Sequence, residues 1–432
     1  MKKKIITVMF VLIMILSLFL FPIGCKPIND EKNVTPLWEA GATRDKIVVI
    51  SDLHLGIEDD YTETLQNRPL LINFLKRLQN TLDVRELVIA GDFLDTWYLP
   101  VYYPQYTDEN EFYEGVIANN QAVIDEFNNV IASGIKLVYV PGNHDMTLEA
   151  DVLQTAIPNI VQARDAKGLG AYYTGDRDEI VIEHGHRYDA FSAPDSFSNK
   201  ELCGNDDTIL PAGYIYARYA ATWVLEDYPE VEKNLPVIST IPDKTDIDQY
   251  GAYIYYSILK KLTAHITPNE GLDEKIFDMR VAGFNDTYSY LDFYPALQTD
   301  GTISAPVLFK NIQRTWDARQ DANGVKVKNS FIEAALGAIE SDYFYQQANA
   351  QYLKNPDEDV DVVVFGHTHI PYLKTEANGK TYLNSGTWVD DDKKLPNSTR
   401  TFAVITTGAT NKTNLYRYTN EESISYVLPI LG

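Results

Sequence analysis

Five short apolar runs punctuate the chain, and each gives way abruptly to polar residues. They are Lys46-Ile47-Val48-Val49-Ile50, Glu86-Leu87-Val88-Ile89-Ala90, Lys136-Leu137-Val138-Tyr139-Val140, Glu179-Ile180-Val181-Ile182-Glu183 and Asp361-Val362-Val363-Val364-Phe365. Runs of this length, rich in β-branched residues, predict buried strands. Between the first two, Leu70, Leu71, Phe74, Leu75 and Leu78 recur at helical spacing and predict a helix over 69–82. A second helix is predicted over 111–133, ending near Gly134. Two further strands are expected at 380–384 and 401–406, with turns at Gly379, Gly386 and Gly408. Strand alternating with helix predicts a layered α/β domain.

The pattern lapses between the fourth and fifth runs. Residues 211–227, 248–265 and 327–353 read as helical, and no comparable strand recurs. This predicts a large, mainly helical insertion at 188–356 inside an α/β domain made of 45–187 and 357–432. The N-terminus differs again. Lys2-Lys3-Lys4 precedes an apolar stretch from Ile5 to Phe21, then Pro22-Ile23-Gly24-Cys25. That is the layout of a secretory signal. A Cys directly after Gly resembles the lipobox of bacterial lipoproteins, so 1–24 reads as a leader and 25–44 as a polar tether. An uncleaved anchor is the alternative. Both place the body outside the cytoplasm, held at the cell membrane by an N-terminal lipid or anchor.

Composition narrows the partners. The formal net charge of -24 argues against nucleic-acid binding, which draws on Lys and Arg to neutralise phosphates. Two cysteines, Cys25 and Cys203, cannot build a disulfide framework.

The residues that end the runs carry the chemistry. After the first come Asp52 and His54; after the second, Gly91-Asp92 and Asp95; after the third, Gly142-Asn143-His144-Asp145; after the fourth, His184 and His186; after the fifth, Gly366-His367-Thr368-His369. Six of the seven histidines fall in these clusters, and only His265 lies elsewhere. On an extended backbone, residues two apart face the same side, so Asp52 with His54, and His367 with His369, are expected to converge. Mixed oxygen and nitrogen donors suit Mn, Fe, Zn, Co or Ni better than Ca. The chain has no phosphate-binding glycine loop, no Gly-x-Ser-x-Gly nucleophile and no His-Glu-x-x-His zinc helix.

Together, Asp52-x-His54, Gly91-Asp92-x-x-Asp95, Gly142-Asn143-His144-Asp145, His184 and Gly366-His367-x-His369 resemble the calcineurin-like metallophosphoesterases. The resemblance implies a four-layer αββα sandwich with two divalent metal ions, manganese being favoured. Asp52, His54, Asp92 and His369 would hold one ion; Asp92, Asn143, His184 and His367 would hold the other, with His186 the less favoured alternative to His184. Two such ions would make a bridging hydroxide available for an in-line displacement at phosphorus. His144 would protonate the leaving oxygen, and Asp95 would orient its ring. Asn384-Ser385-Gly386-Thr387-Trp388 follows the pattern of a turn near the site in relatives.

Departures narrow the subfamily. Thr96-Trp97 and Asp145 stand where Ser/Thr phosphatases carry Arg-Gly and Glu, so phosphoprotein substrates are disfavoured. Ser51–Gly56 and Gly91–Trp97 resemble the bacterial branch that includes UDP-2,3-diacylglucosamine pyrophosphatases. The expected substrate is a phosphate-ester small molecule, a nucleotide or a lipid-linked compound, bound as a mono-, di- or pyrophosphate ester. Specificity is expected from the insertion and the Tyr-rich loop at 97–106. A metal amidohydrolase is disfavoured by the Gly-Asn-His-Asp cluster. A surface lipoprotein that binds metal without hydrolysis is the alternative function.

Overall fold

Strand β1, Lys46–Ile50, has its four apolar residues almost wholly shielded, in two directions. Ile47 and Val49 join the core between two sheets, and Val48 and Ile50 point the other way. Strands β2 (Val84–Ala90) and β3 (Lys136–Val140) repeat this, with Val88, Ala90, Val138 and Val140 in the same core. Burial on both faces explains the unbroken apolar runs. Each such side chain contributes about 1.5–3 kcal/mol. The computed structural model describes residues 37–38, 41–103, 108–204, 208–227, 229, 235–263, 266, 271–337, 342–390, 398–419 and 423–425. The leader, Cys25, most of the tether and His265 lie outside them.

The chain continues through β4 (Val161–Gln162), β5 (Ala171–Thr174) and β6 (Ile180–Glu183). Within 186–344 it makes two small ribbons, β7 (Phe277–Met279) with β8 (Asp286–Tyr288), and β9 (Ala296–Leu297) with β10 (Ile303–Ser304). It then forms β11 (Val362–Phe365), β12 (Tyr372–Thr375), β13 (Thr381–Asn384), β14 (Thr401–Thr406), β15 (Lys412–Tyr418) and β16 (Ser423–Ser425). A seven-stranded sheet runs β16-β15-β14-β1-β2-β3-β4, and a five-stranded sheet runs β12-β13-β11-β6-β5. Inward residues of both sheets share one core, including Ile180, Ile182, Val362, Val364 and Leu383. Helices Arg68–Gln79 and Gln121–Ala132 bring Leu71, Phe74, Leu75, Leu78, Val123, Ile124, Phe127 and Val130 into buried positions beside the seven-stranded sheet. The turn Asn349–Leu353 packs by β11 of the other sheet. This is the α/β sandwich expected. β1, β2 and β3 are mutually parallel, as are β6, β11 and β13. Ligands collect at the C-terminal ends of such strands.

Chain contacts divide the described residues into two units. Residues 97–109 and 186–344 form one, and the sandwich forms the other. In the first, helices Ala212–Leu225 and Ile247–Thr263 occur close to where periodicity predicts them. Two buried arginines organise its loops. Arg218 donates to Leu99 O and Pro100 O at 2.8 Å each, and Thr222 Oγ1 accepts from Val101 N at 2.7 Å. Arg319 donates to Ala190 O at 3.0 Å and Ala193 O at 2.7 Å, and lies 3.5 Å from the buried Asp195 carboxylate.

Two expected helices break up and one helix is unforeseen, each for a physical reason. The helix over 111–133 is two helices, Glu109–Asn119 and Gln121–Ala132. Asn120 interrupts it, because its side-chain amide donates to Gly56 O at 2.9 Å and to Val116 O at 2.8 Å, competing with the helical ladder. The helix over 327–353 is three short pieces, Phe331–Gly337, Tyr343–Ala348 and the π-turn Asn349–Leu353. Nothing in the apolar pattern predicts helix Ile312–Ala322, since two of its four buried residues are Arg319 and Gln320. A hydrophobic pattern cannot register a face closed by polar side chains.

Candidate metal centre

Six strand ends of the sandwich meet at one edge. The turn after β1 is strapped to the turn after β2: Asp52 N donates to Gly91 O at 3.1 Å, Leu53 N and His54 N donate to Asp92 O at 2.8 and 3.0 Å, and Leu55 N donates to Phe93 O at 3.1 Å. The turn after β13 closes on the same loop. Trp388 N and Thr387 Oγ1 each donate to Asp52 O at 3.0 Å, and the Ser51 and Ser385 hydroxyls bond at 2.6 Å. Residues 384–388 thus buttress the site, as the resemblance implied.

Five of the seven sequence-predicted ligands have left-handed backbones: Asp52 (φ 54°), His54 (φ 45°), Asp92 (φ 50°), His367 (φ 71°) and His369 (φ 58°). This corrects the extended-strand argument for i and i+2 convergence. The pairs do converge, but through turns of strained backbone. Such residues cost on the order of 1–3 kcal/mol each and persist where surroundings over-determine them. The preceding glycines make room: a Cβ on Gly91 would meet the His184 ring at 2.4 Å, and one on Gly142 would meet Asp92 at 2.2 Å.

All seven predicted ligands come together. Asp52 Oδ1 lies 3.2 Å from His369 Nε2, and His369 Nε2 lies 3.1 Å from His54 Nε2. Asp92 Oδ2 lies 3.6 Å from His54 Nε2 and 3.1 Å from His184 Nε2. Asn143 Oδ1 lies 3.0 Å from His184 Nε2 and 2.9 Å from His367 Nδ1. Asp52, His54, Asp92 and His369 form one group that could hold an ion. Asp92, Asn143, His184 and His367, the second set the resemblance implies, are linked in a chain of close pairs. His184 Nδ1 donates to Ala90 O at 2.8 Å, which leaves Nε2 as the nitrogen facing Asn143 and Asp92. His186 is buried, opens the short helical turn His186–Tyr188 and groups with the other unit.

His144 and Asp95 are also at this edge, with one change to the expected dyad. Asp95 Oδ2 lies 2.9 Å from His144 Nδ1 and 2.7 Å from His54 Nδ1. One carboxylate oxygen therefore serves two rings, and His54, Asp95 and His144 themselves form a group of metal-ligand types. Asp145 ties two site loops together, since its carboxylate accepts from Gly142 N and Phe93 N, both at 2.7 Å, and from Leu94 N at 3.3 Å. Glu63, which no motif marks, has Oε2 3.3 Å from His54 Nδ1.

Burial sharpens the charges. It would raise the Asp92 carboxyl, but His184, His144 and His54 overcome it and hold Asp92 well below the ordinary range. Burial opposes charge on His54 too, yet Asp95, Glu63 and Asp92 push that ring up to about 10. His184 rises to about 9 against the same burial penalty, through Asp92 and Asp52. Asp145 is pushed up to about 6, by burial first and then by Asp92. Carboxylates and imidazoles thus crowd this edge, and the neighbouring carboxylates favour the protonated rings of His54 and His184. Divalent ions can replace those protons, because both the donor types and their convergence fit them.

The family model for calcineurin-like phosphoesterases matches residues 45–371. No match is found among curated proteins. Two solved structures resemble the chain at low identity. A dimetal phosphatase from Danio rerio is 12% identical, with 89% of this chain and 100% of that one covered and a TM-score of 0.33. Vacuolar Protein Sorting 29 from Cryptosporidium parvum is 10% identical, with 88% and 94% covered and a TM-score of 0.26.

Proposed function

The chain belongs to the calcineurin-like phosphoesterase family, and from that premise we propose that it hydrolyses a phosphate ester using two divalent metal ions. One ion is held by Asp52, His54, Asp92 and His369, the other by Asp92, Asn143, His184 and His367. The observation that carries this reading is the position of Asp92 Oδ2, 3.1 Å from His184 Nε2 and 3.6 Å from His54 Nε2. A single carboxylate faces both donor groups.

Bound ions of this kind supply Lewis acidity, lowering the pKa of a water and offsetting charge on phosphoryl oxygens. The remaining work falls to the chain. His184 keeps Nε2 free for a cation by donating Nδ1–H to Ala90 O. The Nδ1 of His144 faces Asp95, so a proton on its Nε2 is available for a leaving oxygen. The main-chain N–H of His144 donates to Asp92 Oδ1 at 2.8 Å, fixing the proton donor relative to the shared carboxylate. The exclusion of water is aided by burial: Asp52, Asp92, Asp95, Asn143 and His184 are at most 2% exposed.

The finer reading is a small-molecule, nucleotide or lipid-linked phosphate ester. Kinship with UDP-2,3-diacylglucosamine pyrophosphatases draws support from Ser51–Gly56 and Gly91–Trp97. An exported, membrane-held enzyme draws support from Lys2–Lys4, the apolar stretch to Phe21 and Cys25. The test uses the chain without its leader, stripped of metal and reloaded with Mn. Its metal content is measured, and it is assayed on panels of aryl monoesters, diesters and sugar nucleotides, with Asp92→Ala as control. Two equivalents of metal together with hydrolysis support the proposal. Two equivalents without hydrolysis on any panel would favour a metal-binding surface protein instead.

A further inference from the structure

Glu63 lies on the loop before helix Arg68–Gln79, far in sequence from every metal-bearing motif but the first. Its neighbours lace this loop to the turn after β1. Thr62 Oγ1 donates to His54 O at 3.1 Å and accepts from Gly56 N at 3.2 Å, while Thr64 Oγ1 donates to Leu53 O. Asp390 secures the other side. Its N–H donates to Glu63 O at 2.8 Å. Its carboxylate accepts from Leu65 N at 3.1 Å, Gln66 N at 3.0 Å and Asn67 N at 2.8 Å. The Glu63 backbone is thus pinned on both sides, and its side chain is only 10% exposed.

That side chain ends 3.3 Å from His54 Nδ1, where Asp95 Oδ2 already lies at 2.7 Å. Asp95 cannot serve His54 alone, because the same oxygen is 2.9 Å from His144 Nδ1. Two N–H donors on one oxygen weaken each other's hold. We propose that Glu63 is a positioning residue for the metal centre: beside Asp95, which accepts the His54 Nδ1–H, it is a second carboxylate behind that nitrogen, helping to fix Nε2 as the metal-facing nitrogen while Asp95 also faces His144. The inference rests on the two-metal reading. A carboxylate behind a ligating histidine fixes its tautomer and raises its basicity, and losing such a partner costs about 10–100-fold in metal affinity.

The experiment titrates metal-stripped chain with Mn by calorimetry, comparing the unaltered protein with Glu63→Gln and Glu63→Ala. Two ions bind the unaltered protein. Glu63→Ala weakens one of them about 10–100-fold and spares the other, with Glu63→Gln between. The metal concentration for half-maximal turnover rises by the same factor. Combining Glu63→Ala with Asp95→Asn abolishes the weakened site, a loss greater than the product of the single effects, since each carboxylate backs the other. A role limited to loop packing would weaken both ions alike, or neither, and lower the melting temperature of the metal-free chain; that result overturns the proposal. Unchanged affinities in both variants overturn it as well. An unaltered chain that binds no ion overturns the two-metal reading, and this role with it.

Discussion

At Arg319, in the unit formed by 97–109 and 186–344, a fully buried charge is met on every side by groups that complement it. The Ala190 and Ala193 carbonyls accept from it, and the Asp195 carboxylate lies 3.5 Å away. At Asp92, in the sandwich, an equally buried charge stands among metal-ligand side chains that converge from several strand ends. His54 Nε2 and His369 Nε2 face each other at 3.1 Å, and Asn143 Oδ1 faces two ring nitrogens. Five residues of this edge also hold left-handed backbones. The difference teaches how to tell a structural polar cluster from a chemical one. The first is closed, and its loss is a loss of stability. The second is convergent, made of metal-ligand types, and its loss is a loss of ligand.

The sharpest break in that comparison is Asp92→Ala. Both ions should be lost and hydrolysis abolished, as read by metal analysis and the ester panels. The metal-free melting temperature should fall far less than a buried structural charge would predict. Next in size, His144→Ala should lower kcat by about 10²–10⁴ and leave two ions bound. The metals survive because the bond to Asp92 comes from the main chain of residue 144, which alanine retains. Asp95→Asn should differ by weakening one ion as well as turnover, because Asp95 also touches His54. Equal metal loss in His144→Ala and Asp95→Asn would undo the division of roles.

On the other side of the comparison, Arg319→Met should destabilise the chain by about 3 kcal/mol or more, by stranding Asp195 and two carbonyls. Denaturant unfolding measures this, and two ions should still bind. Loss of metal without loss of stability would show that the closed cluster is not merely structural.

The smallest effect is a pH dependence of the metal-free chain. His54 and His184 are raised from 6.5 to about 10 and about 9, so their contribution is complete below about 6.5 and lost as pH rises through 9–10. Asp52 and Asp92 are lowered from 3.8, so theirs is present above that value and lost as pH falls through their depressed range. The metal-free melting temperature should therefore peak between about pH 4 and 6.5 and decline toward pH 9. Metal needs deprotonated rings, so the rise in melting temperature on adding Mn should be larger at pH 8.5 than at pH 6. A rise independent of pH would separate the ions from these histidines.

Much of this was legible in the chain because it is local. Strands buried on both faces announce themselves as apolar runs, and β1, β3 and β14 fall at the predicted bounds. Ligand types directly after those runs identified the family and the seven residues that gather at the edge. Helix Ile312–Ala322 was hidden because its buried face is partly Arg319 and Gln320. Glu63 was hidden because nothing in its surrounding sequence marks it, and its role depends on Asp390 holding it from more than 300 residues away.

The sequence by itself determined which donors the protein owns, in what order they leave the sheets, and hence the metallophosphoesterase fold. Only the tertiary structure decided how the donors share partners. That Asp95 serves both His54 and His144, and that Glu63 stands behind His54, follow from contacts between segments, several of them far apart in the chain. Left-handed turns at Asp52, His54, Asp92, His367 and His369 belong to the same class, because their strain is held by surrounding turns and strands rather than chosen by the residues themselves.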